Sequence, residues 1–180
     1  RPGQQFVDAD GTTHPGSWYT YSVERKAAIG ITEIVQETPP DSRLYNWSQN
    51  ADGTISSAAK ELGDIDVVDE NGDPVLDDDD VQVVQLGVQS NLIAEVKSQQ
   101  GSLLAQTDWA VTRKAEKATA IPANIVTYRD AIRSKATAME SAIAGTANTA
   151  AVAALFVTYT TNEDGSVTKS GILYDWPELG

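Results

Sequence analysis

Few side chains in this sequence are both reactive and suitably spaced. There is one histidine, His14, followed by Pro15 in a turn-like context, and there is no cysteine. A lone imidazole can serve as a base, but no serine stands in a recognisable nucleophile elbow. No His/Asp/Glu cluster has metal-ligand spacing, and no glycine-rich loop resembles a phosphate cradle. Asp64, Asp66, Asp69, Asn71 and Asp73 offer the hard oxygens that calcium takes. Their spacing fails the EF-hand pattern, because the loop glycine and the terminal glutamate are not where that motif needs them. Turn chemistry and solvation account for them better. Carboxylate pairs are abundant, but an acid–base pair is defined by its cleft and its shifted pKa, not by number. The expectation is a non-enzyme with no catalytic residue, no cofactor and no metal.

The aromatic residues point elsewhere. Tryptophan and tyrosine outnumber phenylalanine, which occurs only at Phe6 and Phe156. Amphipathic rings are common where one side is packed and the other wet, as at protein–protein interfaces, and stacking on a carbohydrate would use the same residues. Trp18, Trp47 and Trp109 also read as core anchors. Trp176, near the end of the sequence, is the strongest interface candidate among the tryptophans. The segment Ser102-Leu-Leu-Ala-Gln-Thr-Asp-Trp109, with Arg113 one turn on, reads as a helix–helix corner. Leu103 and Leu104 close an apolar stripe, Thr107 offers an N-cap hydroxyl, and Asp108 complements the helix dipole. Trp109 is expected to pack across the joint, with Arg113 on the same face. The interface candidates are Trp18, Trp109, Arg113, Arg129, Arg133, Tyr174 and Trp176.

These residues need elements to hold them. Four turns end in Asn/Asp-Gly: Asp8–Gly11, Asn50–Gly53, Asp69–Gly72 and Asn162–Gly165. Each is flanked by strand-like residues, so each predicts a hairpin, and they do not form a tandem repeat. Asp77-Asp-Asp-Asp80 reads as the negative start of a helix over about 78–105, with Val81, Val84, Val88, Leu92, Val96 and Leu103 on its face. Gly87 and Gly101 weaken it by about 1 kcal/mol each. A second helix follows Thr107 and ends near Ala118, and Ile121-Pro122 breaks and restarts the chain. A third helix then runs to about Ala144, with Ile125, Tyr128, Ile132, Met139 and Ile143 on one face and Gly145 as its stop. That stripe is close to a coiled-coil seam, interrupted by Lys135 and Ala136. A short alanine-rich helix, 149–156, precedes the final hairpin. The fold class is α+β: a β-hairpin-rich N-terminal part, a central helical hairpin of long helices and a C-terminal β-hairpin. The expected divisions are a docking arm at 1–41, hairpins at 42–76, the helical hairpin at 77–145 and the closing part at 146–180. Thr38-Pro-Pro40 reads as a stiff linker behind the arm.

Composition narrows the partners. The formal net charge is -13 over 180 residues, which argues against a nucleic-acid surface, since phosphate binding needs an excess of Lys and Arg. No apolar run reaches the length of a membrane span, and no secretory leader opens the sequence. The start at Arg1 without methionine suggests a few missing residues. Residues 61–80 carry ten acidic side chains and no basic one. Arg113, Lys114, Lys117, Arg129, Arg133 and Lys135 make the helical centre basic, so pairing between the two regions, within or between subunits, is one expectation and two solvated faces the other.

The string Leu-Leu-Ala-x-Thr-Asp-Trp109 closely resembles a signature of bacteriophage tail proteins, among them tail-fibre assembly chaperones and small tail proteins that share a domain with them. Pro15-Gly-Ser-Trp18, Glu24-Arg-Lys26, Ile29-Gly-Ile-Thr32, Pro40-Asp-Ser-Arg-Leu-Tyr45, Ala120-Ile-Pro122, Tyr128-Arg129 with Arg133, and Trp176-Pro177 look like further landmarks of marine-phage tail proteins, in the same order. The resemblance implies a non-enzymatic structural component of a phage tail, made in the host cytoplasm and carried in the virion. Its expected partners are fibre or baseplate proteins, with a homotrimer expected by analogy. An assembly chaperone absent from the virion is the alternative, and a module binding host-surface glycan is a third reading.

Overall fold

The computed structural model describes residues 3–32 and 37–179; parts of the expected arm, at 1–2 and 33–36, lie outside them. The chain divides into two compact units. The first comprises the described residues up to Pro40 together with Trp47–Ser57, and the second comprises Asp41–Asn46 and the chain from Ala58 onward.

The first unit opens with β1 (Phe6–Val7) and β2 (Thr13–His14), paired antiparallel. The Asp8 carboxylate closes their turn by accepting the N–H groups of Asp10 (3.1 Å) and Thr12 (2.8 Å). A single 3-10 turn at Trp18–Thr20 leads to α1 (Val23–Ala28), where the Ser22 hydroxyl accepts from Arg25 N–H as an N-cap. The ladder β3 (Tyr45–Gln49) and β4 (Ile55–Ala59) follows, its tip in this unit and its base in the second.

In the second unit, residues 78–87 depart from the expected helix and join 64–77 in extended, paired chain. Their valines alternate and branch at Cβ, which favours extended chain. β5 (Ile65–Asp66) pairs with β6 (Val84–Gln85), Val68 bridges Pro74, and Leu76 bridges Gln82. Three two-stranded arms thus meet at one point. At that point Val75 N–H donates to Val67 (2.9 Å), Val83 N–H to Val75 (2.8 Å) and Val67 N–H to Val83 (2.9 Å), closing a ring. The Gln82 Nε2 lies among the same three carbonyls, at 2.8, 3.2 and 3.0 Å. Asp77–Asp80 is therefore an arm tip and not a helix start. Asp77 Oδ1 accepts from Asp79 and Val81 just as Asp69 Oδ1 accepts from Asn71 and Asp73. Asp80 takes the positive φ (59°) that Gly72 takes in the sister turn, a conformation aspartate tolerates better than most residues. An eight-residue repeat underlies this: Val67-Val-Asp69, Val75-Leu-Asp77, Val83-Val-Gln85.

Helix α2 spans Val88–Ala105, ten residues shorter than expected. Gly87 is its N-cap, not an interior weakness, and a Cβ there would collide with the backbone of Leu62 and Gly63. After α3 (Asp108–Lys117), α4 (Ala123–Ala144) returns antiparallel to α2. The ends are pinned reciprocally. Gln89 Nε2 donates to the carbonyls of Ile143 (3.2 Å) and Thr146 (3.0 Å), and Arg129 Nη1 donates to that of Leu104 (2.8 Å), so each helix supplies a further donor to carbonyls at the other's C-terminal end. The α4 stripe is continuous: Ile125, Tyr128, Ile132, Ala136, Met139 and Ile143 are all buried. The expected seam is thus consumed within the chain, and Ala136 completes it.

Helix α5 (Thr149–Ala153), capped by the Asn148 side chain, leads to β7 (Thr158–Thr161) and β8 (Val167–Ser170). Leu44, Val88, Leu92, Val96, Met139, Ile143, Val152, Phe156 and Leu173 form one core. Gly171 allows a tight crossing, since a Cβ on it would meet the Phe156 backbone. The architecture is α+β, with a central helical hairpin and a closing β-hairpin.

Candidate partner interface

Most of the residues singled out from sequence are engaged inside the chain. Trp18 anchors the small core of the first unit: its Nε1 donates to the Gln4 carbonyl (2.9 Å) and its ring meets Phe6 edge-on. Phe6 in turn stacks on His14, whose centroid is 5.1 Å away. His14 is buried, with Nε2 at 2.9 Å from Asp8 Oδ2. That hydrogen bond, with those from Thr12 and Asp10, holds the Asp8 carboxyl below its usual range.

The C-terminal residues act as a strap. Tyr174 Oη donates to Glu95 (2.6 Å) and Trp176 Nε1 to Gln99 (2.7 Å), two residues apart on the extended tail and four apart on α2. Between them Asp175 pairs with Lys135 of α4 at 3.1 Å and with Lys169 of β8. Tyr174 has positive φ (64°), and burial together with Glu95 pushes its hydroxyl pKa up. Trp176 and Tyr174, both partly exposed interface candidates, therefore also strap the tail onto the helical hairpin of their own chain. Arg129 is likewise engaged within the chain. Its side chain is 12% exposed and bonds Leu104 O, Thr107 Oγ1 and Asp108 Oδ1. Thr107 does not cap α3, because its hydroxyl donates backward to Leu104.

The landmark at 40–45 is also packing. Asp41 and Arg43 form a forked ion pair, Arg43 lies 3.7 Å over the Phe156 ring, and Leu44 is fully buried. Of the charges that line the open groove between Arg43, Lys60, Glu61, Asn91 and Glu95, Arg43 pairs with Asp41, Lys60 bonds Ser42 O, and Glu95 accepts from Tyr174. Among the described residues, no carboxylate of 61–80 pairs with a cation of the helical centre, so the intramolecular version of that pairing is absent. Nor does any group of three or more His, Cys, Asp or Glu among them form a metal-holding cluster.

What is left at the surface is α3. Of its ten residues only Ala110 is buried. Trp109 does not pack across the joint; it is 52% exposed, with the Arg113 guanidinium 5.0 Å from its ring centre. Val111 is exposed beside it, and Arg113 Nε is buried without a partner. Arg133, on α4, is half-exposed and bonded only to Asp130 (3.1 Å). A helix this short is marginal in water by itself and takes its stability from packing, yet this one packs little.

No protein-family model, no curated protein and no solved structure matches this chain. Among the described residues, no helix is long and apolar enough to cross a membrane.

Proposed function

We propose that the chain is a non-enzymatic structural component of a bacteriophage tail, acting through protein–protein contacts made by α3. The observation that carries this reading is the exposed Trp109–Arg113 face. It lies on the string Leu-Leu-Ala-Gln-Thr-Asp-Trp109, which resembles the tail-protein signature, and it leaves an aromatic ring half-exposed beside a partly buried guanidinium on a poorly buried helix. Tryptophan and arginine are the side chains most often found to dominate binding energy at interfaces. The engaged charges of the groove at Arg43 fit a binding role better than a catalytic one.

The same face fits a fibre-assembly chaperone, whose signature the string also resembles. Quantitative mass spectrometry of gradient-purified particles, with infected-cell lysate as reference, separates the two. Stoichiometric recovery with particles is expected. Abundance in lysate with absence from particles would replace the structural reading with the chaperone reading. Trp109→Ala is expected to abolish recruitment while melting stays nearly unchanged.

A further inference from the structure

The three-armed β module at 64–87 has a use that its own stability does not require. Its eight-residue repeat places Val68, Leu76 and Val84 at equivalent positions around the ring of Val67, Val75 and Val83. Exposure follows the repeat at these positions, and Ile65 (43%), Val81 (57%) and Leu86 (51%) of the same module are exposed as well. The inner valines are half-buried, whereas Val68, Leu76 and Val84 are 54%, 50% and 41% exposed. Alternation along each strand, with the Val68–Pro74, Leu76–Gln82 and Asp66–Val84 pairings, sets these three on one face with Pro74, Gln82 and Asp66. The tips of the two free arms carry Asp69, Glu70 and Asp73, and Asp77–Asp80.

We propose that this face seats on the three-fold axis of a homotrimeric protein partner, one copy of this chain per trimer. The end of that partner presents apolar side chains at the axis, encircled by lysine or arginine. Two observations select this occupant. The internal repeat offers three similar contacts, eight residues apart in sequence and joined through a closed ring of backbone hydrogen bonds, which three identical protomers can satisfy simultaneously, whereas a single asymmetric partner would use the equivalence of none. The charge selects its sign: an apolar centre with an acidic, cation-free rim complements a basic surround and repels a second copy of this chain, itself at net charge -13. The inference rests on the reading of the chain as a partner-binding assembly protein, and it names the partner's symmetry and charge.

The test uses the full chain in its native producer cells, with Leu76 replaced by the photo-crosslinker p-benzoylphenylalanine. The crosslinked protein is then identified, and the native mass of the uncrosslinked complex is measured. A 1:3 complex with a homotrimer is expected, weakening as salt rises and weakened at least tenfold by the triple variant Val68→Ser/Leu76→Ser/Val84→Ser. These three side chains are exposed, and hydrogen exchange at the Val75 and Val83 amides verifies that the variant keeps the module. Crosslinks to a second copy, a 1:1 complex, or no crosslink would overturn the inference. If Trp109→Ala abolishes the complex and the triple variant leaves it intact, the binding role through α3 stands and this inference falls. A 1:3 complex with a protein foreign to any tail would reverse that outcome.

Discussion

At the residue scale, the same side-chain type does opposite work depending on what surrounds it. Arg129 and Arg113 both lie near the corner between α2 and α4, but one is locked among three oxygens and the other lies against an exposed ring. Arg129→Met keeps the length and removes the donors, so the corner loses three hydrogen bonds, to Leu104 O, Thr107 Oγ1 and Asp108 Oδ1. It is expected to lower unfolding free energy by about 2 kcal/mol in urea titrations. Trp109→Ala should cost under about 1 kcal/mol in the same titration, since half the ring is already in water. Acid should act through carboxylates such as Asp8, whose pKa is lowered by His14 and by backbone N–H groups. A lowered folded pKa contributes stability that is complete above the unfolded value, near 3.8, and is lost as pH falls through the folded one. The near-ultraviolet signal of the Trp18 cluster, followed from pH 7 downward, should therefore hold until about pH 4 and then decay. In His14→Ala the decay should begin at higher pH.

At the element scale, turns and caps were readable where a residue type has one dominant use. All four Asn/Asp-Gly turns form hairpin ends with positive φ at the glycine, because glycine meets no Cβ penalty there. The stretch 77–87 was misread because two physical rules competed. A run of aspartates ahead of apolar residues suits a helix start, yet Asp77 closes a turn on its own side chain and the valines that follow prefer extended chain. The repeat stayed hidden because Asp80 stands where a glycine would have advertised the turn. Two substitutions probe this module. Gly87→Ala should cost about 2 kcal/mol or more through collision with the Gly63 backbone, although the same change in a helix interior would stabilise. Gln82→Glu sets an acceptor among three carbonyl acceptors and should expose the module's amides to hydrogen exchange while α2 and α4 stay protected.

At the scale of the whole molecule, charge and helix packing oppose each other. A chain of net charge -13 repels itself, while the reciprocal pins of Gln89 and Arg129 and the C-terminal strap hold the second unit together. Raising ionic strength through about 0.1 M, where the screening length is about 10 Å, should raise Tm. A Tm that falls instead would mean that the pairs at Asp175 and Asp41 outweigh the general repulsion.

The sequence alone determined what depends on near neighbours: the class α+β, the α4 stripe at helical spacing, the Asx-Gly turns and the closing hairpin. Periodicity and turn chemistry act within a few residues, so they are legible in order along the chain. Tertiary structure alone decided which aromatic side chains face water, since that depends on segments far apart in sequence. Trp176 is drawn onto Gln99, 77 residues earlier, and Arg129 onto Leu104, 25 residues away, while Trp109 stays 52% exposed.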